Sequence, residues 1–175
     1  MANLDEFCVK LIDEMMNFEQ SGIKVKRPNS MNNYGIVLDQ LGLEVLVADI
    51  IERVMKPIAC QVFPDLFVQG EQQQQQVAST DKKPLNFHSF IVRYALGEDT
   101  DLDEHVDSST ITLNLSLGQE FTGGEVFFQD LHNSQLYHDL ACTPGTAFIH
   151  RGNRRHGARQ LLSGSRSNLI IWWRL

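Results

Sequence analysis

Residues 85–175 alternate between apolar and polar side chains in short segments, and this alternation constrains the fold more than any other feature. In the first segment, Phe90, Val92 and Tyr94 would share one face of a strand, because side chains along a strand point alternately to opposite faces. Glycine-containing turns separate the segments, and many short antiparallel strands joined in this way are typical of a β-sandwich or jelly roll. The later predicted strands cover residues 109–117, 124–129, 140–142, 146–150, 156–161 and 166–174.

The sequence before residue 85 predicts two helices that brace the outer face of the larger sheet. Asn3 and Glu6 form a candidate capping pair for the first helix, and Gly22 is its expected end. A second helical region is expected over residues 36–59, and Pro57 should end or kink it. The apolar stripe of that second helix is predicted to consist of Val45, Leu46, Ile50, Ile51 and Val54.

The length of 175 residues predicts one structural domain with two parts. Residues 1–84 would provide helical support and a glutamine-rich loop, and residues 85–175 would form the β core. The glutamine run at 72–76 predicts a loop or disordered insert over residues 71–83. An acidic loop without a calcium-binding pattern is expected over residues 97–104.

Charge and cysteine content limit the classes of partner. The net charge is −7 and no basic patch dominates, so no nucleic-acid partner is expected. The sequence has no signal peptide and no apolar run of membrane-spanning length, which favours a cytoplasmic or nuclear location and no membrane contact. Three cysteines without metal-type spacing favour reduced thiols, and these are Cys8, Cys60 and Cys142.

The strongest candidate for a functional site is a set of metal-ligating residues. His105 and Asp107 are two positions apart in a strand-like segment, so their side chains would point to the same side. His156 from a distant strand would complete two nitrogens and one oxygen on one face of a metal, which are the ligands of non-heme Fe(II) oxygenases. Zinc would accept the same three ligands. His150 competes with His156, but only His156 is followed ten positions later by an arginine, Arg166, on what we expect to be a returning hairpin.

The order of these motifs resembles a known enzyme family. His-x-Asp, then Gly-Gly, then a His with an Arg ten positions later, is similar to the Fe(II)- and 2-oxoglutarate-dependent dioxygenases of the prolyl and lysyl hydroxylase type. A closer resemblance, from about Arg27 to the C-terminus, is to the 2-oxoglutarate and iron-dependent oxygenase domain-containing protein 2 family. The first helix is expected to lie outside it, and the family's longer N-terminal region has no counterpart here. The segments that carry this resemblance are RPNSMNNYG at 27–35, HRG at 150–152, HGAR at 156–159 and NLIIW at 168–172.

The resemblance implies a double-stranded β-helix, which is a cupin-like jelly roll, with His105, Asp107 and His156 as the catalytic Fe(II) ligands. It also implies that Arg166 pairs with the distal carboxylate of 2-oxoglutarate. A guanidinium suits this role because it binds a carboxylate through two hydrogen bonds and stays charged when buried.

Further polar residues are candidates for binding the cosubstrate. Tyr94 is implied as a hydroxyl donor to the same carboxylate, although a plain core tyrosine is the competing interpretation. Asn114 alternates with Thr112 and Ser116 in a polar stripe that faces either the cavity or water. Asn168 lies two positions after Arg166 and could also reach the cosubstrate. Trp172 is expected near the same pocket.

The implied activity is the oxidative decarboxylation of 2-oxoglutarate to succinate and CO₂, coupled to hydroxylation of an unknown protein or small-molecule substrate by O₂. L-Ascorbate is implied as a reductant. Two other hypotheses remain open, a non-catalytic, metal-containing cupin-like binding module and a zinc hydrolase. Metal-dependent turnover of 2-oxoglutarate distinguishes all three.

Overall fold

The computed structural model describes residues 4–67 and 85–175, which form a mainly β fold with N-terminal helices, as predicted. The predicted capping residue Asn3 and the glutamine-rich loop at 71–83 lie outside the described residues. In the part of the chain that is described, there are ten strands, numbered in chain order. They are β1 (Gly35–Val37), β2 (Asn86–Ala95), β3 (Leu102–His105), β4 (Ile111–Gly118), β5 (Phe121–Gly123), β6 (Val126–Gln129), β7 (Tyr137–Leu140), β8 (Ala147–Arg151), β9 (His156–Ala158) and β10 (Leu161–Arg174).

The strands form two antiparallel sheets. The larger sheet has the order β1-β2-β10-β4-β8, and β5 pairs with the beginning of β10. The smaller sheet has the order β3-β9-β6-β7. Strand β10 lies between β2 and β4, so one long strand connects both halves of the larger sheet.

Most of the predicted strands are present in the structure. β3 is the main strand that the sequence did not predict. Residues 102–104 were expected to belong to an acidic loop over 97–104, but they form most of β3, which pairs with β9 in the smaller sheet. Acidic side chains obscured this strand, because Asp103 is exposed and Glu104 pairs with Arg155 at 2.7 Å instead of contributing an apolar residue.

The first helix, α1 (Leu4–Gln20), agrees with the prediction and buries Cys8, Leu11 and Met15 against the larger sheet. It ends just before Gly22, which has a positive φ of 77°. None of the helices in the two described ranges has the length and apolar character needed to cross a membrane.

The second helical region begins later than predicted. Residues 35–37 form β1, in which Ile36 pairs with Ile91 of β2, so the prediction of a helix from residue 36 is wrong. A short 3₁₀ turn follows at Leu38–Leu41. The helical path then consists of α2 (Glu44–Ile50), a π-helical turn (Ile51–Met55) and α3 (Lys56–Val62). Pro57 does not end the helical path, because it lies in the first turn of α3, directly after the π-helical turn, where its missing N–H costs little.

The buried stripe of this helical path also differs from the prediction. Of the five residues expected to be buried, only Ile51 is fully buried, and Val45 is 80% exposed. This helical path carries apolar residues on several sides, so their spacing alone could not identify the side that packs against the sheet. The buried residues are spaced by four positions, and they are Val47, Ile51, Met55 and Ala59.

Two apolar clusters hold the layers together. One cluster packs the helices against the outer face of the larger sheet, as predicted, and includes Ile91. The other lies between the two sheets and includes Phe90, Val92 and Tyr94 on the opposite face of β2. This arrangement confirms the predicted alternation of β2. The space between the sheets is therefore lined by the face of β2 that carries Tyr94.

Gly35 is expected to be essential for the pairing of β1, and Gly35→Ala should destabilise the fold by roughly 3 kcal/mol. Its φ is 130°, and an added Cβ would collide with the carbonyl oxygen of Ile91 on the neighbouring strand. Gly42→Ala is the matched control, because Gly42 has a φ of 68° but open space around it. The control should lose only about 1 kcal/mol. Urea unfolding measures both values, and equal losses would contradict the steric argument.

Candidate functional site

A cavity of about 460 Å³, including its open mouth, lies between the two sheets. Side chains of β2, β4, β9 and β10 line it, together with a loop that precedes β1. All seven candidate residues from the sequence are in its wall. They are Tyr94, His105, Asp107, Asn114, His156, Arg166 and Asn168.

The three predicted metal ligands converge at one end of this cavity. One ligand atom from each of His105, Asp107 and His156 lies within 4.8 Å of the other two. The Nε2 atoms of His105 and His156 are 3.5 and 3.7 Å from the carboxylate oxygens of Asp107. Asp107 lies beyond the end of β3, so the expectation that His105 and Asp107 share a strand is wrong. They meet because His105 pairs directly with His156 across β3 and β9, and Asp107 donates its backbone N–H to Gly152 O at 2.8 Å.

Backbone carbonyls fix the two imidazoles in the form that binds a metal. Nδ1 of His105 lies 2.8 Å from Asp103 O, and Nδ1 of His156 lies 2.8 Å from Arg154 O. A carbonyl only accepts, so each Nδ1 carries the proton and each Nε2 keeps a lone pair directed towards Asp107. Two imidazole lone pairs and one carboxylate on one face fit Fe(II) with open coordination positions.

The pKa shifts of His156 and Asp107 suit metal binding, whereas the pKa shift of His105 opposes it, because a metal binds the neutral imidazole. Burial lowers the pKa of His156 to about 4, so its imidazole is neutral at pH 7. Burial alone would raise the pKa of Asp107, but the contact with the His105 ring, the nearby His156 ring and the hydrogen bond from Thr112 outweigh it, and the pKa is lowered. Burial lowers the pKa of His105, and the Asp107 carboxylate more than compensates, so that pKa is raised.

His150 lies beside the metal ligands rather than away from them. Its ring is 4.6 Å from the His156 ring, and its Nε2 is 3.9 Å from Asp107 Oδ2. Nδ1 bonds the backbone carbonyl of Arg151 at 2.9 Å, and Nε2 is buried without a hydrogen-bond partner in the described residues. The sequence identified His150 as a competitor of His156 but gave no indication that both are adjacent to Asp107.

Arg166 lies in the same cavity as the metal ligands, buried without a carboxylate partner. It is 2% exposed, and no acidic group of the described residues lies within 4.0 Å of its guanidinium. One Nη donates to Gly124 O and to Cys142 Sγ, and Nε has no partner among the described residues. An uncompensated buried charge is costly, so the arrangement favours an anionic ligand.

The connection to Arg166 is not the hairpin that the ten-residue spacing predicted. His156 lies in β9 of the smaller sheet, and Arg166 lies in β10 of the larger sheet. The chain crosses from one sheet to the other between them, so the two residues meet across the cavity. This crossing places a cation and a metal-ligand cluster on facing walls.

The remaining predicted residues form a polar wall of the cavity. The guanidinium of Arg166 lies 4.6 Å from the centre of the Tyr94 ring, and the Tyr94 hydroxyl accepts a hydrogen bond from Asn32 at 3.1 Å. Asn168 donates to Asn114 at 2.6 Å, and Thr112 and Asn114 of the polar stripe on β4 line the cavity. The indole Nε1 of Trp172 is buried in the same wall without a partner among the described residues.

Two residues that hydrogen-bond candidate site residues were given no role from the sequence. Thr112 donates a hydrogen bond to Asp107 Oδ2 at 2.6 Å, and its alternation with Asn114 was the available signal. Asn32 belongs to the segment RPNSMNNYG at 27–35, which was used only for resemblance. By contrast, the basic residues of that region, Lys24, Lys26 and Arg27, are exposed.

Thr112→Val is expected to lower divalent-metal affinity roughly tenfold to 100-fold, because the hydroxyl orients the Asp107 carboxylate. Isothermal titration calorimetry with Mn(II) measures the affinity of each variant. Thr110→Val is the matched control, because the Thr110 hydroxyl bonds Leu175 N rather than Asp107. A loss of the same size in both variants would exclude an orienting role for Thr112.

Comparison with known proteins extends these observations. An OGFOD2-like domain matches residues 4–68. The 2-oxoglutarate and iron-dependent oxygenase domain-containing protein 2 of Xenopus tropicalis is 40% identical over 177 residues, which include 98% of this chain and 47% of that protein. The chain is similar to the catalogued members of this family over nearly its whole length. It spans about half the length of the curated relatives that it matches. Both matches include α1, so the expectation that the first helix lies outside the resemblance is wrong.

Solved structures share the fold of this chain. A Pseudomonas putida prolyl-4-hydroxylase aligns with a TM-score of 0.62 and 15% identity, over 97% of this chain and 86% of that one. A prolyl hydroxylase of Trichoplax adhaerens, in complex with a hypoxia inducible factor peptide fragment, aligns with a TM-score of 0.56 and 11% identity, over 95% and 77%. These alignments confirm the predicted jelly roll.

Proposed function

We propose that this protein is an Fe(II)- and 2-oxoglutarate-dependent dioxygenase that hydroxylates a protein side chain and converts 2-oxoglutarate to succinate and CO₂. One observation carries the proposal. A cluster of two imidazoles and a carboxylate shares a cavity with Arg166, a buried guanidinium that has no carboxylate partner in the described residues. A zinc hydrolase would use the same ligands, but it would have no need for an uncompensated cation in its cavity.

Three residues would hold the metal on one face. His105 and His156 would bind through Nε2, because their Nδ1 protons are already donated to backbone carbonyls. Asp107 would bind through a carboxylate oxygen, and Thr112 would hold the carboxylate in place. Bound Fe(II) and 2-oxoglutarate would supply the activation of O₂.

Arg166 would bind the distal carboxylate of 2-oxoglutarate, and Tyr94 would donate its hydroxyl proton to the same group. A carboxylate at this place would neutralise the guanidinium and provide acceptors for its unused donors. Asn114 and Asn168 would contribute the polar wall beside the cosubstrate. The apolar side chains around this wall, including Ile170, would limit the access of water.

A protein substrate is supported by the related fold of the Trichoplax prolyl hydroxylase, which is solved with a peptide fragment. A small-molecule substrate is the alternative. L-Ascorbate is proposed as the reductant because of the resemblance to prolyl and lysyl hydroxylases. The net charge of −7 supports a substrate other than nucleic acid, and we propose a cytoplasmic or nuclear location.

The test is succinate formation from 2-oxoglutarate by purified protein with Fe(II) and ascorbate, without added substrate. Succinate that requires Fe(II) and is absent when Zn(II) replaces it would support the dioxygenase. Binding of Mn(II) together with 2-oxoglutarate, without turnover, would indicate that turnover requires the missing substrate. Failure to bind 2-oxoglutarate would reject the proposal and favour the non-catalytic, metal-containing cupin-like module.

A further inference from the structure

The segment at 29–32 forms part of the cavity wall, although its function was not evident from the sequence. Asn29, Met31 and Asn32 all line the cavity that holds Arg166. Asn32 is 1% exposed, which is unusual for an asparagine in a loop and requires that its polar atoms have partners. The contacts of this side chain therefore bear on the cavity directly.

A chain of hydrogen bonds fixes the orientation of the Asn32 amide. The Oδ1 atom of Asn29 accepts the backbone N–H groups of Met31 and Asn32, both at 2.7 Å. Its Nδ2 must therefore be the atom that faces Asn32, and it donates to Asn32 Oδ1 at 3.0 Å. As a result, Asn32 presents Nδ2, a donor, to the Tyr94 hydroxyl at 3.1 Å.

This orientation determines what the Tyr94 hydroxyl can do. Its oxygen accepts the hydrogen bond from Asn32, so the phenolic proton must be donated elsewhere. Burial raises the pKa of Tyr94, which keeps the phenol protonated. No acceptor for that proton is found among the described residues, and the neighbouring Arg166 offers only donors.

We propose that Asn32 is a positioning residue, which holds the Tyr94 hydroxyl so that its proton is donated to the distal carboxylate of the 2-oxo acid. The identity of that anion rests on the proposed function. Asn29 and Asn32 then form a relay from the loop backbone to the phenol, and Tyr94 and Arg166 together form a pair of donors for one carboxylate. The loop thereby selects 2-oxo acids that carry a second carboxylate.

The test compares two ligands, 2-oxoglutarate and 2-oxopentanoate, on the Mn(II)-loaded protein by calorimetry. The two share the 2-oxo acid group, but 2-oxopentanoate lacks the distal carboxylate. Asn32→Asp keeps the size of the side chain and the hydrogen bond from Asn29. It presents an oxygen to Tyr94, however, so the Tyr94 hydroxyl would donate its hydrogen bond to that oxygen and not to the ligand. We expect a Kd for 2-oxoglutarate that is raised by about tenfold or more, and a Kd for 2-oxopentanoate that stays within about twofold.

A double-mutant cycle with Tyr94→Phe separates two explanations for a weaker ligand affinity. One is diversion of the Tyr94 hydrogen bond, and the other is repulsion between the new carboxylate and the ligand. If Asn32 acts through the phenol, Asn32→Asp should have little further effect once Tyr94 is phenylalanine. If the new carboxylate merely repels the ligand, its full effect would persist in the Tyr94→Phe background, which would overturn the proposal. Asn33→Ala is the matched control, because Asn33 bonds the half-buried Asp99 and not Tyr94.

Other results would also overturn the proposal. Tyr94→Phe with an unchanged Kd for 2-oxoglutarate would show that the hydroxyl is not a donor to the ligand, whether or not the Asn32→Asp protein folds. Equal weakening of both ligands would indicate general damage to the cavity. Wild-type protein that binds neither ligand would reject the proposed function and this inference together, whereas wild-type binding with an unaffected Asn32→Asp variant would reject only the inference.

Discussion

Replacing His156 with alanine is expected to abolish iron-dependent succinate formation and to weaken Mn(II) binding more than about 100-fold. Even partners that only orient a ligand contribute tenfold to 100-fold to metal affinity, and His156 is itself a proposed ligand. The Nε2 of His156 faces Asp107 at 3.7 Å, so its loss leaves only two of the three donors. His105→Ala and Asp107→Ala should have the same result.

The comparison variant for this prediction is His138→Ala. His138 pairs with Asp130 at 2.8 Å on the exposed side of β7, away from the cavity, so its loss should leave metal binding unchanged. Circular dichroism should show that both variants are folded. Retention of full Mn(II) affinity in His156→Ala would show that another side chain, most simply the adjacent His150, is the third ligand.

Replacing Arg166 with alanine is expected to raise the 2-oxoglutarate concentration needed for half-maximal turnover by at least about 30-fold, which corresponds to about 2 kcal/mol. Truncating one partner of a buried charge pair leaves the other uncompensated, and here that partner would be the distal carboxylate. Metal affinity should change little, because Arg166 is not among the clustered ligands. Calorimetry with Mn(II) and with 2-oxoglutarate measures the two effects separately.

Arg174→Ala is the matched control for Arg166, since both residues lie on β10. The guanidinium of Arg174 bonds the exposed backbone at Ser108 and does not line the cavity. The affinity for 2-oxopentanoate should be nearly unaffected in either variant. An Arg166→Ala protein with unchanged 2-oxoglutarate affinity would show that the anchor has been assigned to the wrong residue.

The sequence was most informative where function imposes fixed residue types. The proposed chemistry needs two imidazoles, a carboxylate and a guanidinium, so His105, Asp107, His156 and Arg166 could be proposed from the sequence, and the structure brings all four into one cavity. The period-two pattern also located β2 and β4, because each has one face on the helices and one on the cavity.

Other features depend on tertiary contacts that local patterns do not contain. The helical path at 44–62 has apolar residues on several sides, and only packing against the sheet selects the face with Val47 and Met55. Asn32 is an ordinary loop residue by sequence. Its role follows from a hydrogen bond to Tyr94, which is 62 positions away.

The central position of β10 determines when the larger sheet can form during synthesis. Strands β2 and β4 do not pair with each other. Each pairs with β10, so the larger sheet cannot form without β10. The same strand carries Arg166, Asn168 and Trp172. During synthesis, the larger sheet therefore cannot close until residues 161–174 have left the ribosome. A partly made chain would have the three proposed metal ligands but not Arg166, so under the proposed function the larger sheet and the site for 2-oxoglutarate would be completed together.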